Sequence, residues 1–214
     1  MLRLELHCHT VYSPDCLVKP ADLVQHARRL GLDKVAITDH NSIRGALEAQ
    51  KLDPNLVIVG EEVQTTKGEF LAFFLTEEVP AGLTPEKALE RLKAQGAVIS
   101  VSHPFDLQRS GWSLQDLEQL APQVDALEIF NARCLTNGMN NRAAAFARQS
   151  GLPGTVGSDA HSLQELGRAT QLLPPFHTPS EMRAVLPLGE MNVRLSSPWI
   201  HMLSTWAKVV KWVK

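Results

Sequence analysis

Cysteine is scarce, acidic and basic residues nearly cancel, and no stretch of the chain stays apolar for long. The three cysteines (Cys8, Cys16, Cys134) cannot all pair within one chain, and none lies in a CxxC arrangement. That argues against a disulfide scaffold and for a reducing compartment. A formal net charge of −2 gives no sign of a surface that coats long nucleic acid. No apolar run approaches the ~20 residues of a bilayer span, so no membrane partner is expected. No basic segment with an apolar stretch precedes the first strand, and a cytoplasmic location is expected. Repeats and low-complexity tracts are missing too. With 214 residues, 44% hydrophobic and 21% charged, the chain is long enough to bury a substantial core. One domain over 1–214 is the simplest organisation, with a motif-bearing core at 1–173 and a C-terminal extension at 174–214.

What the chain does contain is a series of short apolar runs, each ending in polar residues. Leu2-Arg3-Leu4-Glu5-Leu6-His7 alternates like a strand and leads into His7-Cys8-His9, with Asp15 beyond. Side chains two apart on a strand share a face, so His7 and His9 point together and Cys8 away. Val35 to Thr38 ends in Asp39-His40-Asn41, and Leu56 to Val59 in Gly60-Glu61-Glu62. Val98 to Val101 leads to Ser102-His103-Pro104, Leu127 to Phe130 to Asn131-Ala132-Arg133, and Gly154 to Val156 to Gly157-Ser158-Asp159-Ala160-His161. Polar clusters beyond successive strand ends are how a parallel α/β barrel assembles a site.

Helical signals fall between these runs. Pro20 to Leu30 carries a first-turn proline, an apolar stripe of Leu23, Ala27 and Leu30, and an exit at Gly31. Thr84-Pro85-Glu86 opens a second helix that stops at Gly96. Ser113 to Leu120 and Asn140 to Ser150 are two more. Glu69 to Leu75 reads as an antiparallel hairpin partner outside the barrel. The alternation predicts βαβ units around about seven core strands, hence an irregular barrel. Residues 198–214 hold three of the four tryptophans and several lysines. They read as a closing helix packed across the barrel with its lysines solvated; the alternatives are a contact with a second copy of the chain and a basic amphipathic helix lying on a membrane surface.

His7-x-His9…Ser13-x-Asp15, Thr38-Asp39-His40-Asn41, Gly60-Glu61-Glu62, Ser102-His103-Pro104 and Gly157-Ser158-Asp159-Ala160-His161 occur in the order of one known family. Over residues 7 to 161 the chain resembles the PHP (polymerase and histidinol phosphatase) family of the amidohydrolase-like group. The resemblance implies a distorted (β/α)7 TIM-like barrel with two or three divalent ions at the strand ends. It implies His7, His9, Asp159 and a bridging Glu62 at a first ion, with Asp15, His40 and His161 at a second. Glu62 and His103 would begin a third. Some relatives supply a second imidazole to that third ion where this chain has Asn131; an amide is a weaker ligand, so this ion is expected to be loosely held or absent.

Imidazoles and carboxylates suit Zn, Mn or Fe ions better than Ca. Two such ions ~3.5–4 Å apart share a hydroxide and clamp a phosphoryl group. The expected activity is hydrolysis of a small phosphomonoester, a nucleotide or a short oligonucleotide by a metal-bridging hydroxide. Asp159 would orient that hydroxide or take its proton, and His103 or a third ion would neutralise the leaving oxygen. Arg133 would hold phosphate, with Asn131 beside it; Arg44 and Arg168 are weaker candidates. The alternatives are a C–N or other non-phosphate hydrolase, or a metal-binding module without catalysis. Asp39 reads as a supporting group rather than a ligand. His26 and His177 read as surface residues, His201 as lying outside the site, and Cys8 and Cys16 as packing residues.

Overall fold

The computed structural model describes residues 1–106, 109 and 111–212, His201 by its backbone alone. Val213 and Lys214, the end of the expected closing helix, lie outside the described residues. Among the described residues nine strands and seven α-helices follow in the order β1 (Leu2–Cys8), α1 (Pro20–Arg29), β2 (Lys34–Ile37), α2 (Arg44–Leu52), β3 (Val57–Gln64), β4 (Glu69–Phe73), α3 (Pro85–Ala94) and β5 (Val98–Val101). Then come α4 (Leu114–Leu120), β6 (Ala126–Asn131), α5 (Asn137–Ser150), β7 (Gly154–Gly157), β8 (Ala169–Leu173), α6 (Pro179–Val185), β9 (Glu190–Val193) and α7 (Ile200–Trp212).

The helix starts have local causes. Thr84 and Ser113 accept hydrogen bonds from the Lys87 and Asp116 amides, capping α3 and α4. Gly151 takes a left-handed conformation (φ 69°) that ends α5. Helix α2, which the sequence patterns do not announce, begins without a side-chain cap at Ile43 and buries only Gly45, Ala46 and Ala49. Small residues leave no bulky apolar stripe to read.

Strands β1 to β7 wrap into a nearly closed barrel. The pairs β1–β2, β2–β3, β5–β6 and β6–β7 are parallel, whereas β4 runs antiparallel between β3 and β5. Closure back to β1 is made by a Cys8–Ala160 bridge and by the His9 amide on the Ala160 carbonyl at 2.9 Å. Strand β8 pairs antiparallel with the opening half of β1, and β9 pairs antiparallel with the outer edge of β8. The expected distorted seven-stranded barrel is therefore present, with one correction: Glu69–Phe73 is a full barrel member. Its second edge pairs with β5 and all five residues are buried, a strand covered on both faces.

Ala36, Ile58, Leu71, Phe73, Val98 and Ala126 fill the barrel floor together with Leu4 and Leu6. A second layer, including Val35, Ile37, Phe70, Ala72 and Cys8, packs beneath the helices. Cys8 and Cys16 are thus buried packing residues. Two register irregularities interrupt simple alternation, between Glu5 and Cys8 in β1 and between Glu128 and Phe130 in β6. Bulges of this kind re-aim side chains at barrel rims. In β1, Glu5 turns to the Ser158 and Gly167 amides, while His7, two positions on, faces the barrel mouth. In β6, Glu128 and Asn131 reach the same spot although they are three residues apart, with the Asn131 amide on Glu128 at 3.1 Å.

Helix α7 lies across the mouth, and Lys208 is largely exposed, but Lys211 is not solvated as expected. Its small, polar face is inward: Ser204 accepts from Arg133 at 2.7 Å, Ala207 is buried, and Lys211 donates to the Val11 and Ser13 carbonyls. Its large apolar residues face solvent.

Candidate metal centre

At the mouth, the eight buried or half-buried donors named from the sequence come together from five strand ends and a loop, and six of them (Asp15, His40, Glu62, His103, Asp159 and His161) line a cavity of about 340 Å³. His7 Nε2 lies 3.3 Å from Glu62 and 3.6 Å from Asp159; His9 Nε2 lies 3.5 Å from Glu62 and 3.2 Å from Asp159. The His40 Nδ1 atom is 3.0 Å from Glu62, and His161 Nε2 is 3.1 Å from Asp15. Around His9 the rings of His161 and His40 stand 4.1 and 4.5 Å away. His103 Nε2 touches Glu62 at 3.0 Å and Glu69 at 3.3 Å. Three donor groups are compact enough for one ion each: His7, His9 and Asp159; His9, His40 and His161; His40, Glu62 and Glu69.

Supporting contacts fix which ring nitrogen is free. Glu128 holds His7 Nδ1 at 2.9 Å, and the Asp159 carbonyl holds His161 Nδ1 at 2.8 Å. Ser13 donates to Asp39 at 2.7 Å, so it accepts from His9 Nδ1 at 3.0 Å. Asp39 also takes the Thr10 amide and hydroxyl, which places it behind the imidazoles as a support. Each of these rings thereby presents Nε2 to the centre, the arrangement that orients metal-bound histidines. Asp159 (φ 52°) and His103 (φ 22°) hold left-handed backbone conformations that ordinary side chains rarely adopt.

The residues fit divalent ions. His7 Nε2, His9 Nε2 and Asp15 Oδ1 are buried without a hydrogen-bond partner, a costly condition that a cation relieves. Without one, protons balance the acids. Burial opposes a charged His7, but Glu62, Asp159 and Glu128 outweigh it and raise its pKa well above the usual histidine value. Burial likewise disfavours charge on His40 and His103, yet Glu62 and its neighbours push both up to about 9. His9 goes the other way, to about 3, through burial and the adjoining His161 and His40. Against burial, the surrounding imidazoles hold Glu62 well below the usual carboxylate range.

These shifts give a pH prediction. A raised histidine pKa stabilises the metal-free fold below about pH 6.5, and that contribution fades as pH climbs through about 9. Metal loading must displace the same protons, so its affinity strengthens over that window. The rise in melting temperature on adding Mn or Zn ions should therefore grow from pH 6.5 to 9; a constant or shrinking rise would contradict the arrangement.

The remaining residues singled out from sequence are placed as follows. Arg133 lines the cavity wall, with Nη1 unpartnered, Nε 3.7 Å from Glu165 and Nη2 on Ser204. Asn131 donates to Glu128 and Asp159 and accepts from the Arg133 amide at 2.9 Å, so its amide holds neighbours in place. Glu61 turns away to the Val79 amide at 3.0 Å. His26 is half-buried in α1, His177 and Arg44 are exposed, and none of them, nor Arg168, lines the cavity. The His201 side chain lies outside the described residues. Three participants escaped the sequence reading. Glu69 sits at the start of antiparallel β4, and Glu128 lies mid-strand before an irregularity. Arg109 grips Asp159 and Asp106 from the loop after β5.

The architecture and donors define a class: a metal-dependent hydrolase fold with its centre at the carboxyl ends of barrel strands. Residues 5–97 match the family model for the PHP domain, and residues 137–189 match the PHP-associated model. An uncharacterized protein of Methanocaldococcus jannaschii is 36% identical over 157 residues, covering 66% of this chain and 89% of that one. A second from the same organism is 36% identical over 172 residues (78% and 69%). The chain belongs to the PHP family.

Solved structures extend the likeness in fold. PsfC from Pseudomonas syringae superposes with a TM-score of 0.69 at 19% identity, over 100% of this chain and 99% of that one. A candidate metal-dependent phosphoesterase from Bifidobacterium adolescentis gives 0.63 at 20% identity, over 74% and 87%. The lesion-specific endonuclease EndoQ of Pyrococcus furiosus gives 0.65 at 19%, over 92% of this chain and 59% of its own.

Proposed function

We propose that the protein is a metal-dependent phosphoesterase that hydrolyses a small phosphomonoester, a nucleotide or a short oligonucleotide. The observation that carries this reading is the set of unpartnered buried donors, His7 Nε2, His9 Nε2 and Asp15 Oδ1, converging with Glu62 and Asp159 beside a cationic wall. His7, His9, Asp159 and Glu62 would hold one divalent ion; Asp15, His40 and His161 a second; and His103, Glu62 and Glu69 a third, with Zn, Mn and Fe as the candidate metals. Glu69 would supply the third position with a carboxylate donor in place of the imidazole that Asn131 replaces. When bound, such ions supply Lewis acidity and a water that ionises near neutral pH.

The chain's own groups would do the rest. Asp159 has one oxygen toward His7 and His9, while Arg109 and Asn131 hold the other, so it can steer the attacking water and receive its proton. His103 Nε2 stands between Glu62 and Glu69 on the cavity wall, so either His103, with the third position empty, or the ion it would hold there can neutralise the leaving oxygen. Arg133 Nη1 offers a spare donor to a phosphoryl oxygen. Ser204, Thr205 and Lys208 of α7 share the wall, which supports reading the C-terminal extension and the barrel as one unit. A cavity of about 340 Å³ suits a small or terminal phosphate group.

The test is a panel of phosphomonoesters, nucleotides, short oligonucleotides and amides, assayed with Mn or Zn ions and with chelator. Phosphate release is expected with metal, with a loss on the order of 10³-fold or more after chelation that metal re-addition reverses. Turnover of amides alone would remove the proposal, and so would full activity in a preparation free of metal.

A further inference from the structure

We propose that Lys208 of α7 is a substrate-binding residue which, together with Arg133, holds the non-bridging oxygens of a terminal phosphate and makes the site favour a phosphomonoester over an internal phosphodiester. The inference rests on the phosphoesterase reading and narrows the substrate class within it. Ser204 and Lys208 are four residues apart and so share one face of α7. That face is turned inward: Ser204 accepts from Arg133 Nη2 at 2.7 Å, and Ser204, Thr205 and Lys208 line the cavity with Arg133. The helix thereby brings a lysine and an arginine to one wall. It does so from beyond both stretches that match the family models, residues 5–97 and 137–189.

Both cations have capacity for a ligand. Arg133 is buried, and its Nη1 has no hydrogen-bond partner, a condition that an anion's oxygen relieves. Lys208 Nζ stands 3.5 Å from Asp15 Oδ2, with its side chain 61% exposed. An ion pair so open to water holds weakly, and the flexible stem lets the ammonium turn to a ligand. The neighbouring cations are committed elsewhere: Lys211 to the Val11 and Ser13 carbonyls, Arg109 to Asp159 and Asp106. Asp15 ties Lys208 to the metal donors, because its other oxygen lies 3.1 Å from His161 Nε2. Phosphate chemistry then decides what the pair selects. A phosphomonoester carries about −1.5 to −2 charge near neutral pH and three acceptor oxygens outside the ester link. Esterification at a second oxygen removes one acceptor and leaves a single charge. Two cations on one wall therefore match the monoester better.

The experiment compares wild type, Lys208→Met and Lys208→Arg as full chains loaded with Mn ions. Hydrolysis of p-nitrophenyl phosphate is set against that of bis-p-nitrophenyl phosphate, and calorimetry reads the binding of inorganic phosphate. Wild type is expected to prefer the monoester. Lys208→Met should raise the monoester KM and weaken phosphate binding by about tenfold or more, and the preference over the diester should shrink with them. Lys208→Arg keeps the charge and should restore most of both. Metal content and melting curve should match wild type, because the side chain is largely exposed and is not a metal donor. The proposal falls if wild type prefers the diester, or if Lys208→Met binds phosphate as tightly as wild type. It also falls if Lys208→Met loses metal and turns over both esters less by the same factor, which would make Lys208 a support for Asp15. A wild type that hydrolyses no phosphate ester removes the phosphoesterase reading and this inference with it. Wild-type kinetics in Lys208→Met, on esters that wild type does hydrolyse, remove this inference alone.

Discussion

Glu62→Gln is expected to abolish metal-dependent turnover, lowering kcat/KM by on the order of 10³-fold or more, and to remove at least one ion per chain. Glu62 touches members of all three donor groups. Its Oε1 lies 3.3 Å from His7, 3.0 Å from His103 and 2.8 Å from the Ser102 hydroxyl; Oε2 lies 3.5 Å from His9 and 3.0 Å from His40. Glutamine keeps the volume and removes the charge, and it presents an N–H₂ group to a nitrogen on one side. The metal-free fold should suffer as well, since stranding the paired, raised-pKa imidazoles costs about 3–5 kcal/mol. Metal analysis, phosphate release and a melting curve in chelator separate the two effects. A variant that keeps full metal content and activity would show that Glu62 does not bridge.

Much of this arrangement was legible in the chain because strand ends announce themselves. Six apolar runs ending in polar clusters, five of them with His, Asp or Glu, point to the barrel and direct His7, His9, His40, Glu62, His103, Asp159 and His161 to one end of it. Glu62 could be separated from Glu61 because the family motif puts the ligand two residues after glycine, here Gly60, and strand alternation lets only one of the pair face inward. Where the alternation breaks, the reading fails. Glu128 is hidden since an irregularity follows it, so neither parity nor strand-end position marks it as the group that orients His7. Glu69 is hidden for a topological reason: an antiparallel strand brings its first residue, not its last, to the mouth. Arg109 belongs to a loop whose path no local pattern encodes. In α7 the apolar stripe was visible, but the direction it faces depends on what the barrel offers. Arg133 and the Val11 and Ser13 carbonyls attract polar groups and turn the stripe outward.

Gly157→Ala should disable the centre without altering a single donor. A Cβ at this position would stand 2.3 Å from the Cβ of His7 and 2.8 Å from Glu128 Oε1, both far inside contact distance. Neither neighbour can retreat cheaply. His7 is fixed by the Glu128 carboxylate and by the β1–β7 closure, where the Ala160 amide meets the His7 carbonyl at 3.3 Å. Glu128 in turn receives the His103 amide at 2.8 Å. Overpacking of a dense interior typically costs ~1–3 kcal/mol, and this clash pushes β7 from β1 at the seam that closes the barrel. A loss at or above the top of that range is expected in denaturant unfolding. The displaced His7 ring should also lower metal affinity by about 10- to 100-fold, as when an orienting group is lost. Gly154→Ala provides the comparison: its Cβ would meet the Ile129 side chain, remote from the donors, so it should cost stability while sparing metal affinity once folded. Equal metal affinity in Gly157→Ala and wild type would mean that the close approach of β7 to His7 does not shape the centre.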